Sequence, residues 1–228
     1  MFLDHFVSVF LAHDNTFAMI VKIFGRTVAP VMCFFIAEGY HYTSNLKKYI
    51  SRLLIFALIS HIPYNIAFGY SFFQATSVMW PLALGLIALA VIKHEKLHIL
   101  LRIVIVMFCC ALAWRANWNF VAVLWVLGFG IFQGKFALQI IAFTLVGLLG
   151  HISLNFYRFG FFHDRFPQWQ QLGIFLAIPL LVLYNGQRGR KSKIMTWLFY
   201  VFYPAHLLLL FLLNRFTSLA DIMGRIFS

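Results

Sequence analysis

The sequence predicts an all-α fold, a polytopic integral membrane bundle of about eight or nine transmembrane helices. Three observations carry that prediction. Of 228 residues, 63% are hydrophobic and 11% charged, with a mean hydropathy of +0.88. A soluble domain is about 45–50% apolar and about a quarter charged, so this apolar surplus exceeds what one soluble core absorbs and calls for a bilayer. Second, most Lys and Arg residues fall in short links between apolar runs, as in a polytopic protein beside an anionic leaflet. Third, the 28 Phe and 6 Trp suit lipid contact and the membrane interface. A net charge of +12, taken alone, suits a nucleic-acid partner. The scatter of the cations among links argues against it, because nucleic-acid binding needs a shared electrostatic footprint.

The elements follow in order. The opening "MFLDHFVSVFLA" is about half a span and reads as part of a longer first helix. Apolar runs then cover 17–40, 48–70, 78–92, 97–114, 119–133, 135–157, 169–184 and 195–213. Some fall below the ~20 residues that cross a bilayer untilted, so their ends are soft. Pro30 is expected to bend its span and Pro63 to break its own. Residues 1–214 form one membrane domain, and 215–228 read as a short amphipathic tail along the interface. One set of links holds Lys47, Lys48, Arg52, Lys93, Lys96, Lys135, Arg188, Arg190, Lys191 and Lys193. The other set holds half as many cations: Arg115, Arg158, Arg165, Arg215 and Arg225. The positive-inside rule makes the first set cytoplasmic, with the N-terminus inside and the C-terminus in the periplasm. The "HDNT" turn at 13–16 then faces the far side. The start lacks a basic region and a small-residue cleavage site, so no cleavable signal peptide is expected. Cys33, Cys109 and Cys110 lie inside apolar runs without a C-x-x-C, so neither a disulfide framework nor a metal site is expected.

Polar groups inside the spans carry the functional signal, since a charge at the bilayer centre costs at least ~2.5–3.5 kcal/mol. Asp4 and His5 point about 100° apart on a helix and can border one pocket without touching. An Asp beside a His can fix its tautomer and raise its basicity; both can equally be interfacial residues. Lys22 and Arg26 share a face, and Glu38 lies three turns further, too far to pair with Arg26. Arg26 wants an anionic partner, for which Asp4 is the candidate. His61 and Asn65 flank Pro63 and either border a cavity or satisfy a kink. "LYNGQRGRKSK" suits phosphates through backbone N–H groups and Arg forks, although any cytoplasmic loop is basic. His206 is a single imidazole in an apolar helix, structural alone but a candidate if others join it. Cys33 lies among Met32, Phe34 and Phe35, where burial makes a thiol inert. No Ser nucleophile motif, HExxH or P-loop is present.

"GRTVAPVMCFFIAEGYHYTSN" followed by "KYISRLLIFALISHIPYNIAF" resembles the core signature of the TraX family, membrane proteins linked to N-terminal acetylation of F-type pilin. The pattern falls on Gly25, Arg26, Pro30, Ala37, Glu38, Gly39, His41, Asn45, Lys48 and Tyr49. "YNGQRG" near 184–189, "FYPAHLLLL" near 203–210 and the opening Asp4-His5 match further signatures. The sequence departs at Ala29, at Pro81 and at Asn117-Trp118-Asn119. The resemblance extends to larger transmembrane acyltransferases. It implies a helical bundle of the bacterial inner membrane that takes acetyl-CoA from the cytoplasm and passes the acetyl group to an amine, a pilin N-terminus among the candidates. On that expectation His5 is the general base, Asp4 its orienter and Arg26 the oxyanion donor. His41 and His206 are alternative bases, and Glu38 is a structural or proton-relay group. Lys47, Lys48, Arg52, Asn185, Arg188 and Arg190 would hold the CoA phosphates. Alternative readings are O-acylation of a surface glycan or lipid, a proton-coupled transporter, and a non-catalytic scaffold for pilus assembly.

Overall fold

In lipid the backbone has no water to bond, so an apolar run must satisfy its N–H and C=O groups internally. The computed structural model describes residues 1–11, 16–152, 168–187 and 192–226, and all of its named elements are helices. They are α1 (Phe2–Phe10), α2 (Thr16–Gly25), α3 (Val28–Tyr42), α4 (Leu46–Phe68), α5 (Met79–Ile92), α6 (Ile99–Leu112) and α7 (Asn119–Ile131). Then come α8 (Phe136–Leu145), a π-helical continuation (Val146–Ile152), a 3-10 segment (Gln168–Leu176), α9 (Ala177–Val182) and α10 (Lys193–Ile226). Local chemistry sets several boundaries. The Asn45 side chain accepts from Lys48 N at 2.9 Å and starts α4, while Gly69 at φ 68° ends it in the left-handed conformation.

The lengths are unequal. Thr16–Tyr42, Leu46–Phe68 and Trp197–Thr217 are long and apolar enough to cross a membrane, whereas the other apolar helices have 10–17 residues. A helix of 14 residues such as α5 rises ~21 Å, short of the ~30 Å hydrocarbon layer. The short α5 and α7 form the centre, with Leu82, Leu86, Leu89, Trp125, Val126 and Phe129 buried. They pack closely because Gly85 lies against Val126 and Gly130 against Leu89, with no room for a Cβ at either glycine. Small residues let membrane helices approach in this way. On the flank, α4 and α10 run parallel, with Phe56 and Tyr200 stacked at 5.2 Å.

Several expectations change in detail. The predicted 17–40 span contains a tightened turn at Arg26 and Thr27, before Pro30. Pro30 is the third residue of α3, where a missing N–H costs nothing. Pro63 and Pro204 sit inside unbroken helices. The α10 backbone continues helically to Ile226, through the expected start of the tail. His13, Asp14, Asn15, Arg158, Arg165, Arg188, Arg190 and Lys191 lie outside the described residues.

Contacts define two ends. The Tyr42 hydroxyl donates to Gly186 O at 2.7 Å and His41 Nε2 to Gly130 O at 3.2 Å, which gathers the links near 43–45, 132–135 and 183–187. Lys47, Lys48 and Lys135 lie there, so this is the basic end. At the opposite end the links 69–78 and 113–118 join, Asn117 N donating to Thr76 O at 2.9 Å and Thr76 N to Arg115 O at 3.3 Å.

Candidate functional site

His5 on α1 and His206 on α10 meet in the interior although 201 residues separate them, with Nδ1 of His5 3.0 Å from Nε2 of His206. Both are buried. The proton positions follow from the third partner. Nδ1 of His206 lies 2.7 Å from the Phe202 carbonyl, which only accepts, so His206 carries its proton on Nδ1. In the neutral ring Nε2 is then an acceptor, and His5 must donate to it from Nδ1. That leaves Nε2 of His5 with a lone pair and no proton. The chain of donors thus presets one nitrogen as a base. Asp4, expected to orient His5, does not hold this bond.

Asp4 turns instead toward Gly25 and Arg26. A Cβ added to Gly25 would lie 2.6 Å from Asp4 Oδ1, so the glycine is the space into which the carboxylate fits. Asp4, His5, Lys22, Arg26, Tyr64 and Asn117 are among the residues lining a cavity of about 330 Å³ at the opposite end from the basic links. A smaller recess of about 40 Å³ continues from Asp4, His5 and Arg26 past Val28, Val78 and Trp118. Arg26 keeps its Nε buried without a hydrogen-bond partner. Its guanidinium lies over the Trp118 ring at 5.5 Å, a cation–π contact. The same indole stacks on His151 at 4.6 Å, and His151 Nε2 donates to Gln171 Oε1 at 2.9 Å. Trp118 and Asn119 have φ of 67° and 35°, conformations that bulky residues rarely adopt and that concentrate at functional sites.

The remaining site candidates lie at the basic end. Ten residues of α3, a rise of ~15 Å, separate Val28 in the recess from Glu38. Glu38, Tyr42 and Tyr184 form a shared wall between cavities of about 340 and 450 Å³. The first is also lined by Tyr49, Arg52 and Tyr200. Arg52 places its guanidinium over Tyr200 at 5.6 Å and leaves a buried Nε unpartnered. Asn185 lines the second cavity and accepts from Gln187 N at 3.0 Å. Lys47 and Lys48 are exposed on the rim. His41 lies at this end too, bonded to a carbonyl and remote from His5. The predicted residues therefore divide into two sets: Asp4, His5, Arg26 and His206 together, and Glu38, His41, Lys47, Lys48, Arg52 and Asn185 at the other end. His61 and Asn65 both donate to the Phe72 carbonyl, at 2.8 and 3.2 Å, and brace the 69–78 link. Cys33 is buried, with its Sγ 3.6 Å from the Ala122 carbonyl.

Sequence reasoning missed Tyr64, Tyr70, Trp118, His151 and Tyr184 as site residues. Trp118 was visible as part of a departure from the family pattern, but nothing in the sequence announced its backbone conformation.

Apolar helices enclosing a cavity lined by one histidine of a buried pair, an arginine and a carboxylate define an integral membrane protein with a built internal site. The chain belongs to the family described as TraX protein, which it matches over residues 1–214. It is similar to the "Probable fimbrial assembly protein FimC, serogroup H1" of Dichelobacter nodosus, 29% identical over 219 residues that cover 92% of this chain and 89% of that protein. No solved structure matches it.

Proposed function

We propose that the protein is a membrane-embedded acetyltransferase that moves an acetyl group from acetyl-CoA to an amine, the N-terminus of a pilin being the acceptor the family and its fimbrial relative favour. The observation that carries this reading is the preset lone pair on Nε2 of His5 inside a polar cavity. The acceptor amine attacks the thioester carbonyl carbon, forming the C–N bond, and His5 Nε2 takes the proton that the nitrogen releases. His206 and the Phe202 carbonyl hold the resulting imidazolium in line. Arg26, with an unused donor, faces the oxygen that becomes an oxyanion. Collapse breaks the C–S bond, His5 returns its proton to the leaving thiolate, and the products are an acetylated amine and the CoA thiol.

The basic end fits the nucleotide part of the co-substrate. Arg52 offers an orphaned buried donor, Tyr49, Tyr184 and Tyr200 offer aromatic walls, and Lys47 and Lys48 supply positive charge at the rim. On this reading that end faces the cytoplasm of the bacterial inner membrane, the histidine cavity opens toward the periplasm, and the pantetheine arm reaches along α3 by parting the apolar side chains packed between them.

The test uses the purified protein in lipid nanodiscs, radiolabelled acetyl-CoA and a peptide with a free N-terminus. His5→Gln is expected to lower kcat by about 10²–10⁴-fold, and Arg26→Ala by about 10²–10³-fold. Arg52→Ala is expected to raise KM for acetyl-CoA while kcat holds. A wild-type protein that neither binds nor turns over acetyl-CoA overturns the enzyme; full turnover in His5→Gln overturns only the base.

A further inference from the structure

One recess of the bundle faces outward. Beside α5, on the side where α4 and α6 flank it, a groove of about 590 Å³ is lined by His61, Phe73, Thr76, Leu112, Trp114 and Arg115, among others. Its surroundings are apolar and uncovered. Phe73 is 81% exposed and Trp114 52%, and the outer face of α6 continues the surface with Val104, Met107 and Phe108.

Two polar groups stand at the mouth. Arg115 is the one charged residue in the lining, and it spends a single N–H, from Nη1, on the Phe73 carbonyl at 3.4 Å. Most of its five donors stay available. Thr76 has both backbone groups bonded, to Arg115 O and Asn117 N, yet its Oγ1 is buried with no hydrogen-bond partner. An unpaired buried hydroxyl is costly unless something supplies the missing bond.

A guanidinium fork at one end of an apolar trough matches a phosphate diester carrying acyl chains, and the shielded Thr76 hydroxyl beside it gains its missing partner by turning toward that phosphate. A helical partner fits poorly, since a helix is about 10–12 Å across and a groove of this size suits one ligand-sized molecule. We propose that this groove binds one phospholipid with an anionic headgroup, the phosphate on Arg115 and Thr76 and a chain along Phe73, Trp114 and Leu112. The site does not depend on the acetyltransferase reading. It adjoins the histidine cavity structurally, because Asn117, which lines that cavity, is bonded to Thr76 from behind. A bound headgroup therefore braces the wall between them.

Native mass spectrometry of the detergent-purified protein, incubated with equal phosphatidylglycerol and phosphatidylethanolamine, tests the proposal. One phosphatidylglycerol is expected to stay bound in preference. Arg115→Ala should lower its retention about fivefold, Arg115→Lys should restore part of it, and Thr76→Val should weaken it less. Thermal melting in detergent checks that each variant is folded. Equal retention of the two lipids by the wild-type protein overturns the proposal, as does unchanged retention in both Arg115→Ala and Thr76→Val. Inorganic phosphate is expected to leave the lipid in place; displacement of the lipid by phosphate alone would assign the site to a free anion.

Discussion

For His5, the position of one proton decides what the side chain can do. The bond from Nδ1 to His206 keeps Nε2 bare, and that arrangement needs no carboxylate. Asp4 is thereby free to turn into the space that Gly25 supplies, in the wall of the cavity that Arg26 also lines, with no ion pair between the two. Gly25→Ala is expected to push the carboxylate aside and destabilise the protein by about 1–3 kcal/mol. The added Asp4→Ala change should recover part of that loss, read as melting temperature in detergent; equal melting of Gly25→Ala and wild type would remove the packing argument. Trp118 holds its indole between Arg26 and His151 from a backbone position that favours glycine. Trp118→Phe is expected to keep most activity and Trp118→Leu to lower kcat with little change in KM, because Leu offers no π-face to orient the guanidinium. At this scale the sequence was legible wherever a charge or imidazole interrupts an apolar helix, as at Asp4, His5, Arg26 and His206. The pairing of His5 with His206 was not, because a contact across the whole chain is a tertiary fact. Trp118 was hidden for a different reason: its role rests on a φ angle that no local pattern encodes.

Among the elements, the apolar runs became helices because lipid leaves the backbone no other solution. Asn45 and Gly69 bracket α4 as cap residues do, a local signal that the predicted 48–70 run did not use. Prolines misled. Pro63 was expected to break a helix that stays continuous, and the turn credited to Pro30 lies earlier, beside Gly25. A proline's effect depends on whether neighbouring groups take up the carbonyl it frees, and sequence does not show those neighbours. The close approach of α5 and α7 depends on two glycines that carry no chemistry. Gly85→Val and Gly130→Leu should each force the helices apart and cost about 1–3 kcal/mol, lowering the denaturation midpoint without changing lipid retention at Arg115. Wild-type melting in either variant would mean that the interface tolerates a wider spacing.

For the whole molecule, the polar features gather at two ends with packed apolar side chains between them. If the basic end faces the cytoplasm, a cysteine replacing Lys47 in sealed spheroplasts should resist a membrane-impermeant maleimide, while one replacing Gln74, exposed in the 69–78 link, reacts. The reverse pattern would invert the orientation and leave the fold untouched. The unequal helix lengths bear on the bilayer itself. The outer helix α6, also 14 residues long and with Leu100, Val104 and Phe108 exposed, stops roughly 9 Å short of the hydrocarbon thickness, a mismatch that surrounding lipid relieves by thinning. The bundle thus dimples its membrane beside the histidine cavity. Polar headgroups and water would sink toward Arg26 and His5, and on the proposed acetyltransferase reading a membrane-anchored acceptor approaching there would have less hydrocarbon to cross.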